Sequence, residues 1–139
     1  SPWSLRSYDG SSRTAEKTRW SLLCFYPGDD TPGCTAQLQD LQTHLNRFQE
    51  AEVDVFGINP ASAESHKAFA EKYGFEFPIL TDTDGAVAEL FGSLLKMPLK
   101  LVIVRTVYLI DPAGRIHLAH RGAPSAEELL HSIRLSKFQ

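Results

Sequence analysis

The chain has 139 residues, about the length of one domain with a sizeable core, and residues 1–139 are read as a single domain. Its 42% hydrophobic and 22% charged residues argue against a disordered chain, and its net charge of −3, from 14 basic and 17 acidic side chains spread along the sequence, offers nucleic acid no basic stripe. The longest apolar run, Leu99 to Ile110, is interrupted by Lys100 and Arg105 and is too short to cross a bilayer, which argues against a membrane protein.

In chain order, the first 18 residues are rich in Ser, Thr and charge, with a turn signal at Asp9-Gly10, and predict a weak hairpin rather than core. "WSLLCFY" (Trp20 to Tyr26) reads as a strand buried on both faces. Leu38, Leu41, Leu45 and Phe48 then fall three or four apart, predicting one amphipathic helix that starts near Thr35. "VDVFGI" (Val53 to Ile58) is a second strand. A helical pattern from Ser62 to Tyr73 closes at Gly74. "FPIL" (Phe77 to Leu80) predicts a short strand, Gly85 to Phe91 a short helix, and Met97-Pro98 a loop.

"LVIVRTVYLI" (Leu101 to Ile110) is dense in β-branched residues and predicts one long strand. The turn Asp111-Pro112-Ala113-Gly114 should return "RIHLAHR" antiparallel beside it. Ser125 followed by Glu128 is a capping box opening a terminal helix with Leu129, Leu130 and Ile133 on one face. Alternating strands and helices ending in a hairpin and a helix imply an α/β fold of thioredoxin-like layout, a central mixed β-sheet flanked by helices.

The two cysteines, Cys24 and Cys34, are too few for a disulfide scaffold, and no basic-then-apolar leader opens the chain, so a cytoplasmic setting with a free thiol is expected. Cys24 lies mid-strand and reads as a packing thiol. Cys34 follows "YPGDDTPG", at a helix mouth beyond the carboxyl end of a strand, the edge where open sheets place reactive sites. The unpartnered N–H groups and partial positive charge of a helix N-terminus favour a thiolate over a thiol. Arg105, a charge among Val and Ile, needs either a partner or a cleft, and is the candidate cation beside that thiolate. Asp29 and Asp30 read as solvated turn formers. His44, His66, His117, His120 and His131 lack ligand spacing and read as surface or helix positions, so no metal or cofactor is expected.

"FYPGDDTPGCT" resembles the peroxidatic-cysteine signature of the peroxiredoxins, in the branch named for a bacterioferritin-comigratory protein. The resemblance extends through "SAESHKAFAEKYGFEFPILTD" and "RTVYLIDPAGRI" and so covers most of the chain from about Leu22. It implies a thioredoxin-like fold and a thiol-dependent peroxidase acting on hydrogen peroxide and small organic hydroperoxides, in which a cysteine thiolate becomes a sulfenic acid. The matching positions are Pro27, Thr31, Cys34 and Arg105. By resemblance Pro27 shields the thiolate, the Thr31 hydroxyl and Cys34 N–H hold the peroxide oxygens, and Arg105 stabilises the thiolate and the leaving oxygen.

Two positions depart from the pattern that the resemblance implies. Gln39 stands where many members of that branch carry a resolving cysteine, and no cysteine follows Cys34. Gln37 stands where Glu is expected, yet an amide still accepts a hydrogen bond. The expected mechanism is therefore a 1-Cys cycle recycled by an external thiol, either thioredoxin, glutaredoxin or a small thiol, in a monomer or weak dimer. The competing reading is a non-enzymatic redox sensor or partner-binding domain that signals through Cys34. A disulfide exchanger is weaker, because the paired-cysteine motif is missing.

Overall fold

The structure, a computed structural model, describes residues 3–14, 18–98 and 100–137. Its strands are β1 (Ser4–Ser7), β2 (Ser12–Thr14), β3 (Trp20–Phe25), β4 (Val53–Asn59), β5 (Ile79–Thr81), β6 (Leu94–Met97), β7 (Lys100–Ile103), β8 (Thr106–Ile110) and β9 (Ile116–Arg121). Its helices are α1 (Pro32–Thr43), α2 (Leu45–Glu50), α3 (Ala63–Tyr73), α4 (Ala86–Leu90) and α5 (Ala126–Lys137). A seven-stranded sheet runs β2-β1-β5-β4-β3-β8-β9, and β6 and β7 form a separate ribbon. β3 pairs parallel with β4 and antiparallel with β8, Leu22 lying opposite Val55 and Leu109. The sheet is mixed, as the alternation of elements predicts.

Side chains alternate across the pleat of β3 and build two cores. Leu22, Cys24 and Tyr26 join Leu38, Leu41, Phe48, Phe69, Leu129 and Ile133 from α1, α2, α3 and α5. Leu23 and Phe25 face the other side, with Trp3, Phe56, Ile58, Ala88, Ile103 and Tyr108. Burying each Leu or Phe contributes roughly 1.5–3 kcal/mol, so the stripe Leu38–Leu41–Phe48 holds α1 and α2 against the sheet. Gly57 leaves room for the Tyr26 ring, since a Cβ there would lie 3.2 Å from it.

Several boundaries differ from the sequence reading. The N-terminal hairpin forms around Asp9-Gly10, but it is not outside the core: β1 pairs with β5, and Trp3 is buried against Phe56 with ring centroids 5.1 Å apart. The rest of that N-terminal reading, at 1, 2 and 15–17, lies outside the described residues. The first long helix starts at Pro32, not Thr35, and divides at His44, whose ring nitrogen and backbone N–H both reach the Asp40 carbonyl. α3 starts at Ala63 with Ser62, read as helical, serving as its cap, and Gly74 ends it in the left-handed conformation at φ 71°, as read. The helix expected over Gly85 to Phe91 forms as a 3₁₀ turn, Thr83–Gly85, and then α4.

The largest correction concerns Leu101 to Ile110. This run is two strands, β7 and β8, with Val104 and Arg105 in neither. Val104 N–H donates to the Ser93 carbonyl at 2.8 Å, a bond that turns the chain out of the β8 line. Met97, read as loop, is the last residue of β6 and pairs with Lys100. The β8–β9 hairpin forms as predicted. Ser125 Oγ accepts from Glu128 N–H at 3.1 Å, the first half of the expected capping box.

Candidate active site around Cys34

The central strand β3 delivers the chain to the site. Tyr26 extends its ladder by one bond to the Ile58 carbonyl, and then Pro27 and Gly28 turn the chain. Thr31 is the extended residue before α1, and Pro32 takes the first helical position, where its fixed φ fits and its missing N–H removes no helical bond. Cys34 therefore lies in the first turn of α1, two residues inside the helix. Thr31 makes no side-chain capping bond, its hydroxyl lying 3.5 Å from the Gly28 carbonyl. The first-turn N–H groups of Gly33 and Cys34 therefore receive no cap from the Thr31 side chain.

Cys34 is 1% exposed, while Pro27 and Thr31 form an exposed rim. From the break between β7 and β8, Arg105 reaches the thiol: Nη2 donates to Cys34 Sγ at 3.1 Å and Nη1 to Gln37 Oε1 at 2.6 Å. The guanidinium fork holds the sulfur and the Gln37 amide oxygen at once and so orients the thiol. Gln37 is buried one turn along α1 and accepts as expected, while its Nε2 has no partner among the described residues. Of the four residues singled out in the sequence, Cys34 and Arg105 are in contact, and Pro27 and Thr31 lie exposed in the loop that leads from β3 into α1.

Cys24 is fully buried under the same helix. Burial pushes its thiol up to about 12, against the opposing pull of Arg105, so at neutral pH it is a protonated packing group.

Asp29 is not a solvated turn former. Its carboxylate is buried and accepts from Tyr26 Oη at 2.6 Å, Asn59 Nδ2 at 3.0 Å and Ser65 Oγ at 2.6 Å, and lies 2.7 Å from His66 Nδ1. Burial pushes this carboxyl up, but the bonds from His66, Ser65 and Tyr26 outweigh it and hold it at about 2. Burial, followed by the charge of Asp29, holds the Tyr26 phenol well above its ordinary range. Asp30, at φ 56°, accepts from Lys72 Nζ at 2.8 Å and Tyr73 Oη at 2.6 Å. Both acids fasten the β3–α1 loop to α3. His66, read as a surface or helix position, is fully buried. A signal was available: His66 shares a helical stripe with Phe69, Ala70 and Tyr73, and a polar group on an apolar stripe requires a partner.

A thiol in the first turn of the helix that follows a central strand of a thioredoxin-like sheet, with an arginine on its sulfur, defines a thiol-based redox protein. Comparison with known proteins narrows the class. A profile of the AhpC/TSA family matches residues 4–119. The chain is 32% identical to peroxiredoxin Bcp of Xanthomonas campestris over 86% of its own length and 78% of that protein. It is 33% identical to the chloroplastic peroxiredoxin Q of Sedum lineare over 86% of its length and 64% of that protein. The crystal structure of peroxidoxin BcpB from Mycobacterium tuberculosis superposes with a TM-score of 0.90, at 26% identity, over 97% of this chain and 93% of that one. The chain belongs to the AhpC/TSA family, among the Bcp and peroxiredoxin Q proteins, and is a thiol-dependent peroxidase.

Proposed function

We propose that Cys34 is the peroxidatic nucleophile of a 1-Cys cycle in which Arg105, Thr31 and Pro27 serve the reaction. The Cys34 thiolate attacks the terminal oxygen of a hydroperoxide, the S–O bond forms as the O–O bond breaks, and the departing oxygen takes a proton to leave as water or an alcohol. Cys34 is left as sulfenic acid. The observation that carries this reading is the 3.1 Å contact from Arg105 Nη2 to Cys34 Sγ. The same cation lies where negative charge develops on the leaving oxygen. The Thr31 hydroxyl and the Cys34 N–H hold the two peroxide oxygens, and Pro27 keeps water from the sulfur.

No cysteine follows Cys34, and Cys24 is a buried, protonated thiol on the core side. An external thiol therefore attacks the sulfenic sulfur and releases water, and a second thiol frees Cys34 as a disulfide departs. Thioredoxin, glutaredoxin and small thiols are the reductant classes. Cys34, Arg105 and Gln37 come from one chain, which supports a monomer or weak dimer as the working form. Among the described residues no helix is long and apolar enough to cross a membrane. Two free cysteines support a reducing, cytoplasmic setting.

Peroxide consumption with supplied thiol tests the proposal. The parent should turn over many times and a folded Cys34→Ser variant should not. A parent that oxidises once and stops under excess thiol would instead be a redox sensor. Intact mass after stoichiometric peroxide, with a thiol trap present, separates a trapped sulfenic acid from a Cys24–Cys34 disulfide, and the latter result would overturn the 1-Cys cycle.

A further inference from the structure

Arg105 is held in an unusual place for a residue that must aim a guanidinium. It lies between two strands, just beyond the last β8–β9 residue pair, Thr106 opposite Arg121. Its neighbours are held by other means. Val104 N–H donates to the Ser93 carbonyl, Thr106 Oγ1 donates to the Val104 carbonyl at 2.8 Å, and Gly122 N–H donates to the Arg105 carbonyl at 2.9 Å.

One side chain ties these bonds together. Arg121 Nη1 donates to Thr106 Oγ1 at 2.9 Å, and Nη2 donates to the Gly92 carbonyl at 3.0 Å. Ser93 Oγ lies 3.4 Å from Nη1 and 2.6 Å from Tyr108 Oη, which in turn donates to the Phe91 carbonyl at 2.6 Å. The planar fork of Arg121 thus bridges the 91–93 turn to the residue that follows Arg105. Its described partners are all neutral oxygens, so its role is geometric rather than that of an ion pair.

We propose that Arg121 is a positioning residue for peroxide reduction, setting the backbone on both sides of Arg105 so that the Arg105 guanidinium meets the Cys34 sulfur. The inference rests on the role given to Arg105 above. Removing the fork keeps the backbone bonds of Val104 and Arg105 but unlinks Thr106 Oγ1 from the Gly92 carbonyl, and a displacement of about 1 Å at a catalytic group can cost up to roughly a hundredfold in rate. Lysine cannot substitute, because a single ammonium does not span Thr106 Oγ1 and the Gly92 carbonyl in one fixed geometry.

The test is a cycle of full-length chains carrying Arg121→Met, Arg105→Met and both, with the second-order rate of Cys34 oxidation by hydrogen peroxide read in a single turnover. Arg121→Met should lower the rate about tenfold in the parent and less than about twofold in the Arg105→Met background, because its effect passes through Arg105. Arg121→Lys should not restore it. A folded Arg121→Met chain that reacts like the parent, or one that loses the same factor in both backgrounds, overturns the proposal and leaves Arg121 a purely structural residue. If Arg121→Met does not fold, Thr106→Val removes the central acceptor and is read in the same cycle. A slow Arg105→Met chain beside an unaffected Arg121→Met chain overturns this inference alone. An Arg105→Met chain as fast as the parent overturns the assignment of Arg105 and this inference with it.

Discussion

Asp29 Oδ2 and His66 Nδ1 lie 2.7 Å apart in the interior, joining the loop in front of the reactive thiol to a helix that starts more than thirty residues later. The pair makes the loop's conformation depend on a buried carboxylate whose charge its hydrogen-bond partners stabilise. Its folded carboxyl titrates at about 2, below its ordinary 3.8, so on acidification the unfolded chain takes up the proton first. The stabilisation is complete above the ordinary value and is lost as pH falls through about 2. Asp29→Asn should therefore cost on the order of 1–2 kcal/mol at neutral pH, measured by urea unfolding, and the gap to the parent should narrow below about pH 4. A gap that is constant from pH 7 down to about 2 would show that the charge of Asp29 contributes nothing.

Cys34→Ser should abolish peroxide reduction and Cys24→Ser should keep most of it per folded molecule. Burial of a hydroxyl in the apolar place of Cys24 costs about 1–3 kcal/mol in stability, a change that thermal unfolding detects separately from activity. Comparable loss of turnover in a folded Cys24→Ser chain would remove the 1-Cys assignment.

Arg105→Lys keeps the charge but not the fork that holds Cys34 Sγ and Gln37 Oε1 together. It should recover only part of the rate lost in Arg105→Met, leaving a deficit of about tenfold against the parent. Full activity in the lysine variant would mean that charge alone suffices and that the Gln37 contact is incidental.

Gln39 is exposed on α1, and its place predicts the enzyme's lifetime. With no thiol on that helix to condense with the sulfenic acid, high peroxide and scarce external thiol should drive Cys34 to sulfinic acid, and activity should not return when thiol is added. Gln39→Cys should resist this inactivation once the first turns of α1 open. A Gln39→Cys chain that dies as fast as the parent, with its new thiol still reduced, would show that α1 is too rigid to deliver it.

Cys34 and Arg105 were legible from local signals, a helix mouth after a strand and a charge within an apolar run, whereas Pro27 and Thr31 entered only through the resemblance to the peroxiredoxin signature. Where the local signal was ambiguous, the boundary moved. Pro32 suits a turn and the first position of a helix equally well, which is why α1 starts earlier than its apolar period suggests. The break at Val104–Arg105 was invisible because β-branched residues favour extended backbone whether or not the ladder continues. What interrupts it is the Ser93 carbonyl, supplied from another part of the fold. Asp29 was misjudged for the same reason, its partners lying on β4 and α3.

The fastening of the β3–α1 loop to α3 by Asp29 and Asp30 separates the two halves of the catalytic cycle by size. Cys34 is 1% exposed behind a loop that is pinned on both acids, so a peroxide needs only to slip one oxygen past the rim, whereas a thiol must bring its sulfur and its carrier to the same point. In the proposed cycle, oxidation should then be quicker than recycling. In a working population the oxidised enzyme should predominate, throughput should rise with the concentration and slimness of the reductant rather than with peroxide, and substitutions that unpin the loop should speed the return half of the cycle while weakening the fold.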